Sequence, residues 1–162
     1  MRKRKPTIPR GAPKGTVWFG GPIEWFRMTL RIAGETLIPA DVTKILQCQP
    51  SQAEEKGQPL PRKTGRPERI AKTGRWHFTL SPEDTDEWDC GEAILELLGR
   101  LQSDANVWRT LADRYQIGIF VGLNMTGANM GFSLSPRVMT YLAERGIEAG
   151  FDIYCDPVAK GG

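Results

Sequence analysis

Hydrophobic and polar residues alternate in four segments of this chain, and this alternation predicts four half-buried β-strands. The segments are residues 25–33, 76–81, 117–125 and 147–155. In the first segment every second residue is apolar: Phe26, Met28, Leu30 and Ile32. Because successive side chains of a strand point to opposite sides of a sheet, each segment supplies one apolar face and one polar face.

Apolar residues at helical spacing lie between these strands and predict four helices. The predicted helices cover about residues 38–47, 81–101, 106–115 and 135–146. Ser81-Pro82 and Ser135-Pro136 are typical of helix starts, since serine caps free backbone N–H groups and proline fits the first helical position. Residues 131–134 predict a short additional strand.

The element order β-α-β-α-α-β-α-β predicts an α+β sandwich, with the helices on one face of a mixed or antiparallel sheet of about four to five strands. A chain of 162 residues is enough for one domain. We expect that domain at residues 16–157, with a basic loop at 51–75. Residues 1–15 are rich in Pro, Lys and Arg and predict a disordered basic arm, and residues 158–162 a flexible tail.

If the helices cover the apolar strand faces, the polar faces together form a second surface that mixes aromatic, basic and small side chains. The candidate binding residues on it are Trp25, Arg27, Arg31, His77, Phe120, Asn124, Asp152 and Tyr154, with Thr29 and Thr79 between them. Aromatic and arginine side chains are favoured at protein interfaces, which makes this surface a candidate binding site. A solvated sheet face without a partner is the alternative, because antiparallel sheets commonly have one.

Charge is distributed unevenly along the chain. Residues 1–15 carry six basic residues and no acid, residues 56–75 carry seven and one, and the rest carries nine and eighteen. The net charge of +3 therefore hides two cationic segments on an acidic body. The candidates for electrostatic contact are Arg2, Lys3, Arg4, Lys5, Arg62, Lys63, Arg66 and Arg69. Such clusters can neutralise nucleic-acid phosphates. Solvated segments, or contact with an acidic protein, explain the same pattern.

The sequence contains no catalytic or metal-binding constellation. His77 is the only histidine, and the three cysteines (Cys48, Cys90 and Cys155) are far apart, whereas zinc sites need closely spaced ligands. We expect no metal and no cofactor, and free cysteines that pack as small apolar groups. No segment has the composition of a secretory signal or the ~20 apolar residues of a membrane span, so we expect a cytoplasmic protein.

Several short motifs occur in a recognisable order between about Trp25 and Tyr154. They are Ile32-Ala-Gly34, Asp41-Val-Thr-Lys-Ile-Leu46, Pro50 with Ala53 and Gly57, Thr73-Gly-Arg-Trp76, Leu134-Ser-Pro136 and Gly150-Phe-Asp-Ile-Tyr154. In these motifs the chain resembles the bacterial family called domain of unknown function 4279. The resemblance implies a small, soluble, single-domain α+β protein of bacteria, and it brings no catalytic residue with it.

The leading hypothesis from the sequence is a non-enzymatic protein-binding module, immunity- or adaptor-like, that acts in the cytoplasm. The alternative is a nucleic-acid-associated accessory protein that uses the basic arm and the basic loop. A small-molecule enzyme is the third hypothesis. A homodimer that buries the polar sheet face is compatible with all of these, and the basic arm is either functional or only solubilising.

Overall fold

A computed structural model describes residues 25–61, 69–81, 89–102, 104–125 and 131–155. The strands are β1 (Trp25–Gly34), β2 (Gln52–Glu54), β3 (Pro59–Leu60), β4 (Arg69–Ile70), β5 (Gly74–Leu80), β6 (Gln116–Met125) and β7 (Glu148–Cys155). The helices are α1 (Pro39–Leu46), α2 (Cys90–Gly99), α3 (Ala105–Ala112) and α4 (Pro136–Ala143). The predicted arm at 1–15 and tail at 158–162 lie outside the described residues.

Five of these strands form one sheet in the order β2-β5-β1-β6-β7. Strand β1 is antiparallel to both of its neighbours, β5 and β6, and β2 is antiparallel to β5. Strand β7 is parallel to β6, which it reaches through the crossover helix α4. The sheet is therefore mixed, and the predicted α+β class is confirmed. Strands β3 and β4 form a separate two-stranded sheet.

The hydrophobic core lies between the helices and the apolar face of the sheet. Alternate residues of β1 and β6, together with Trp76 and Leu80 of β5, are buried there, and each helix contributes apolar side chains such as Leu46, Ile94, Trp108 and Val138. The indole N–H of the buried Trp108 donates to the main-chain oxygen of Gln102 at 2.6 Å. The indole N–H therefore has a hydrogen-bond acceptor although the ring is buried.

The starts of the helices confirm one predicted cap and correct another. Ser135 caps α4 as predicted: its Oγ accepts a hydrogen bond from the N–H of Val138 at 3.3 Å, and Pro136 follows it. Helix α2 begins at Cys90 and not at the predicted Ser81, and residues 82–88 between them lie outside the described residues. Its N-cap is Asp89, which has an extended backbone and accepts from the N–H of Glu92 at 3.0 Å.

The segment between α1 and β5 contains more structure than the predicted loop at 51–75. Strands β2, β3 and β4 lie within it, and β2 extends the main sheet by pairing Gln52 with His77. These strands have only two or three residues, so no alternation could reveal them. The short strand predicted at residues 131–134 is wrong, because these residues form no strand. Instead Phe132 stacks on Phe151 with the ring centroids 4.7 Å apart, and so covers the edge of the core.

Helix α3 is shorter than the predicted 106–115. It ends at Ala112, and Tyr115 lies after it in a turn, where it is still buried. At the end of α2, Arg100 Nη2 lies 2.6 Å from Glu96 Oε1, an ion pair between residues four positions apart. Within the described residues, no helix has the length and apolar character needed to cross a membrane.

Candidate functional site on the open sheet face

The strand register brings the predicted binding residues together on the sheet face opposite the helices, which we call the open face. In one row of paired residues His77 lies beside Arg31. In the next row Thr79, Thr29 and Phe120 are neighbours, and further rows hold Arg27 with Asp152 and Asn124 with Tyr154. Trp25 is opposite Asn124 by its strand position. By strand register, all eight positions therefore lie on one face.

The open face presents charged and aromatic groups to solvent. Arg27 and Arg31 are exposed, and Tyr154 is 57% exposed, whereas Phe120 and His77 are half-buried. The buried residues of all four described helices belong to the core on the other side of the sheet. Within the described residues, the helices thus leave this face uncovered.

Arg31 and Phe120 form a flat cationic platform near the centre of the open face. The guanidinium carbon of Arg31 lies 4.0 Å from the centre of the Phe120 ring, a cation–π contact. Phe120 is paired with Gly150, where an added Cβ would lie 3.9 Å from the ring. The ring of Phe120 thus lies over Gly150 at ordinary van der Waals distance, and it also contacts the guanidinium of Arg31.

Tyr154 and Asp152 form a second polar group at the edge of the open face. The hydroxyl of Tyr154 donates to Asp152 Oδ2 at 2.5 Å. This hydrogen bond, followed by the negative charge of Asp152, raises the pKa of Tyr154. Its ring also reaches to 4.0 Å from the position of a Cβ at Gly122. Tyr154 is therefore a protonated phenol at neutral pH, with its orientation fixed by a carboxylate.

His77 is a neutral group in a basic environment. Burial and the nearby charge of Arg31 lower its pKa, Glu54 opposes this effect, and Arg75 adds to it. Because an ordinary histidine already titrates near 6.5, a lowered pKa leaves the imidazole uncharged at pH 7. His77 belongs to the open face, whereas Cys90 lies in the core on the opposite side of the sheet. The fold therefore separates these two residues.

Cys90 is expected to resist thiol reagents in the native protein. Burial and the charge of Asp89 raise its pKa to about 11, so the thiol stays protonated far above neutral pH, and only a thiolate attacks the reagent. Alkylation with iodoacetamide at about pH 8, read by peptide mass spectrometry, should leave Cys90 unmodified until denaturant is added. Cys48 is only partly buried and should react sooner. Rapid native labelling of Cys90 would contradict this prediction.

Of the residues predicted for electrostatic contact, only Arg69 is described. It lies exposed in β4. The other seven, Arg2, Lys3, Arg4, Lys5, Arg62, Lys63 and Arg66, lie outside the described residues. Next to Arg69 the structure reveals a cavity of about 190 Å³, the cationic pocket, which is lined by Leu60, Arg69, Ile70, Ala71, Lys72 and Arg75. The sequence analysis missed Lys72 and Arg75 as site residues, and their only signal was membership of the basic segment.

The residues that the structure describes contain no cluster of three or more His, Cys, Asp or Glu side chains arranged to hold a metal ion. The charged and polar groups of the open face and the cationic pocket, among these residues, are guanidinium, ammonium, phenol, imidazole and carboxylate groups.

Comparison with known proteins leads to a family and to no further relative. No curated protein and no solved structure matches the chain. One family does match, over residues 24–156, which includes all seven strands and all four helices. This range confirms the resemblance seen in the sequence motifs. The chain belongs to the family described as Domain of unknown function (DUF4279).

Proposed function

We propose that this protein is a non-enzymatic protein-binding module whose open face binds an acidic surface of a partner protein. The observation that supports the proposal is the open face itself: exposed Arg27, Arg31 and Tyr154 on a sheet surface that the described helices leave uncovered. Arginine and tyrosine are among the residue types that contribute most to binding energy at interfaces.

The charges on the open face favour an acidic partner. Its central strands β1 and β5 contribute Arg27, Arg31 and Arg75, whereas the acids belong to the outer strands. Among those acids, Asp152 accepts the Tyr154 hydroxyl, and Glu54 Oε2 lies 3.5 Å from Arg75 Nη1. Glu148 also lies on this face, in the outer strand β7, so the basic residues are concentrated on the two central strands and the acidic ones on the outer strands. Complementary charge on a partner speeds association and disfavours basic competitors.

The contact of Arg31 with Phe120 orders the arginine side chain before a partner binds. A long side chain usually loses rotamer freedom when an interface forms, and this loss weakens binding. The cation–π contact already restricts Arg31, so less freedom remains to be lost on association. Tyr154 is restricted in the same way by its hydrogen bond to Asp152. Both side chains therefore lose less rotamer freedom on binding, which reduces the entropic cost of forming the interface.

An immunity- or adaptor-like role is the more specific form of this proposal. In the first case the open face would cover and neutralise an acidic region of a toxic protein, and in the second it would tether its partner to another component. We also propose a cytoplasmic location. It is supported by the unpaired thiols of Cys48 and Cys90 among the described residues, since disulfides are rare in reducing compartments.

Substitution of the open-face side chains tests this proposal. Arg27→Ala and Tyr154→Ala should each weaken partner binding about tenfold or more, because truncating an interface hot spot has an effect of that size. The partner is first recovered with the tagged protein from the native host after nuclease treatment. Its affinity for the purified variants is then measured by calorimetry, and circular dichroism checks that the fold is retained.

Two matched variants control for the open-face test. Lys44→Ala and Met139→Ala change exposed side chains of α1 and α4, on the helical side of the protein, and should bind the partner normally. Unchanged affinity in both open-face variants would contradict the proposal. Recovery that disappears with nuclease, together with high absorbance at 260 nm, would instead favour the nucleic-acid hypothesis. A homodimer that the open-face substitutions dissociate would show that a second copy occupies the face.

A further inference from the structure

We propose that the cationic pocket binds a small dianion of the phosphate class, as free phosphate or as the end of a phosphate monoester. This proposal goes beyond the proposed function, because it concerns a small ligand in a cavity beside the open face, with which it shares only Arg75. Three properties of the pocket favour such a ligand: a fixed backbone, a net positive charge of its described residues and a small volume.

The backbone around the pocket is fixed at both ends of the segment 71–74. The N–H of Ala71 donates to the oxygen of Gln58 at 2.9 Å, and the N–H of Gly57 donates to the oxygen of Ala71 at 2.8 Å. Ala71 is buried, at 5% exposure. At the other end, Gly74 packs so closely on the main chain of Leu37 that no side chain would fit. Lys72 therefore extends from a rigid segment, which limits the ordering that a ligand must cause.

Arg75 is oriented by a shielded carboxylate. Glu54 is only 13% exposed in its side chain, and its Oε2 lies 3.5 Å from Arg75 Nη1. The other oxygen, Oε1, accepts from Gln52 Nε2 at 3.0 Å. Oε2 has no hydrogen-bond partner among the described residues, so the nearby charge of Arg75 is what compensates it. Glu54 thus holds Arg75 at the edge of the pocket.

The charges of the pocket match a dianion. Among the described residues, the lining contains three cations, Arg69, Lys72 and Arg75, and the nearby carboxylate of Glu54 balances one of them. The net charge of these four described groups is +2, compared with about −1.5 to −2 for a phosphate monoester near pH 7. A phosphodiester in a nucleic-acid backbone carries a single negative charge per phosphate. The pocket therefore suits a terminal phosphate better than a diester.

The volume of the pocket limits the size of the ligand and also favours a terminal phosphate. Sites for drug-sized ligands typically enclose ~300–1,000 Å³, and this cavity has about 190 Å³. A phosphate group fits such a space, whereas a whole nucleotide would extend beyond it. The side chains of Leu60 and Ile70 complete the lining with apolar carbon. An ester carbon next to the phosphate would contact them.

Titration of the full chain with defined phosphates tests the proposal. Inorganic phosphate, O-phosphoserine and dimethyl phosphate are added at constant ionic strength, and amide chemical shifts are followed by NMR. We expect saturable shifts at residues 70–75 with the first two probes and much weaker ones with dimethyl phosphate, which is a monoanion. Lys72→Gln and Arg69→Gln should each weaken phosphate binding about tenfold, since each removes a charge-assisted hydrogen bond.

Lys44→Gln and Arg137→Gln are the matched controls, because they remove exposed cations from α1 and α4. Neither should change phosphate affinity. Tighter binding of O-phosphoserine than of inorganic phosphate would assign the pocket to monoesters, and the reverse would assign it to the free ion. Shifts that do not saturate, equal binding of dimethyl phosphate, or unchanged affinity in Lys72→Gln would overturn the proposal. None of these readouts involves the protein partner, so the two proposals fail separately.

Discussion

Replacement of Trp76 by alanine is expected to lower the free energy of unfolding by about 3–5 kcal/mol, the range for large aromatic residues of protein cores. Trp76 is completely buried in β5 on the core face of the sheet, and its ring lies 6.2 Å from that of Phe78. Its indole N–H donates to Thr43 Oγ1 at 3.0 Å, which connects the sheet to α1. The substitution therefore leaves a large cavity and removes a bond between two layers.

Equilibrium unfolding in urea measures this effect, with two variants for comparison. Thr43→Val removes only the acceptor of the indole N–H and should cost about 1–3 kcal/mol. Met139→Ala changes a side chain that is 51% exposed and should change stability by no more than about 0.5 kcal/mol. A loss below about 1 kcal/mol for Trp76→Ala would mean that Trp76 does not support the core as described.

Gly74→Ala is expected to destabilise the protein by about 3 kcal/mol or more, at or above the usual range for overpacking. A Cβ at position 74 would lie 2.0 Å from the main-chain oxygen of Leu37 and 2.8 Å from its carbonyl carbon. Neither atom belongs to a flexible side chain, so relief requires a shift of the backbone. Gly74 is also paired with Gly34 at the end of β1, and a shift would disturb the β1–β5 pairing.

The matched control is Gly99→Ala at the end of α2. Nothing lies within 4 Å of a Cβ at that position, and alanine restricts the unfolded chain more than glycine does. Gly99→Ala should therefore stabilise the protein by about 0.4–1 kcal/mol. Thermal or urea unfolding of the two variants side by side checks both predictions. Equal stability of the two variants would show that the close approach of Leu37 and Gly74 is not what requires glycine.

The elements that could be predicted from the sequence are those long enough to show a period. Strands β1 and β6 have ten residues each, so alternation identified both the strand and its buried face. Strand β2 has three residues, all at least partly exposed, and therefore has no pattern to recognise. The start of α2 was misplaced because two N-cap residues, Ser81 and Asp89, lie eight positions apart and both fit the rule.

The sequence predicted which residues of the candidate site share a face of the sheet, but not which of them are in contact. Alternation indicates which residues share a side of the sheet, yet the strand order decides which of them are neighbours. It is the pairing of β1 with β6 that brings Arg31 onto the ring of Phe120. The cationic pocket was even harder to predict from the sequence. It depends on the pairing of β3 with β4, whereas the sequence shows only a run of basic residues.

The position of β1 in the centre of the sheet has a consequence for synthesis of the chain. Its pairing partners are far away along the sequence: Met28 is paired with Leu80 and with Val121, and no neighbouring strands of this sheet are joined by a tight turn. Pairings between distant segments form slowly, and until they form the strands expose apolar side chains. A ribosome releases β1 first and β6 some ninety residues later. During that interval the emerging chain carries a strand with a free apolar side, which is where a chaperone would bind.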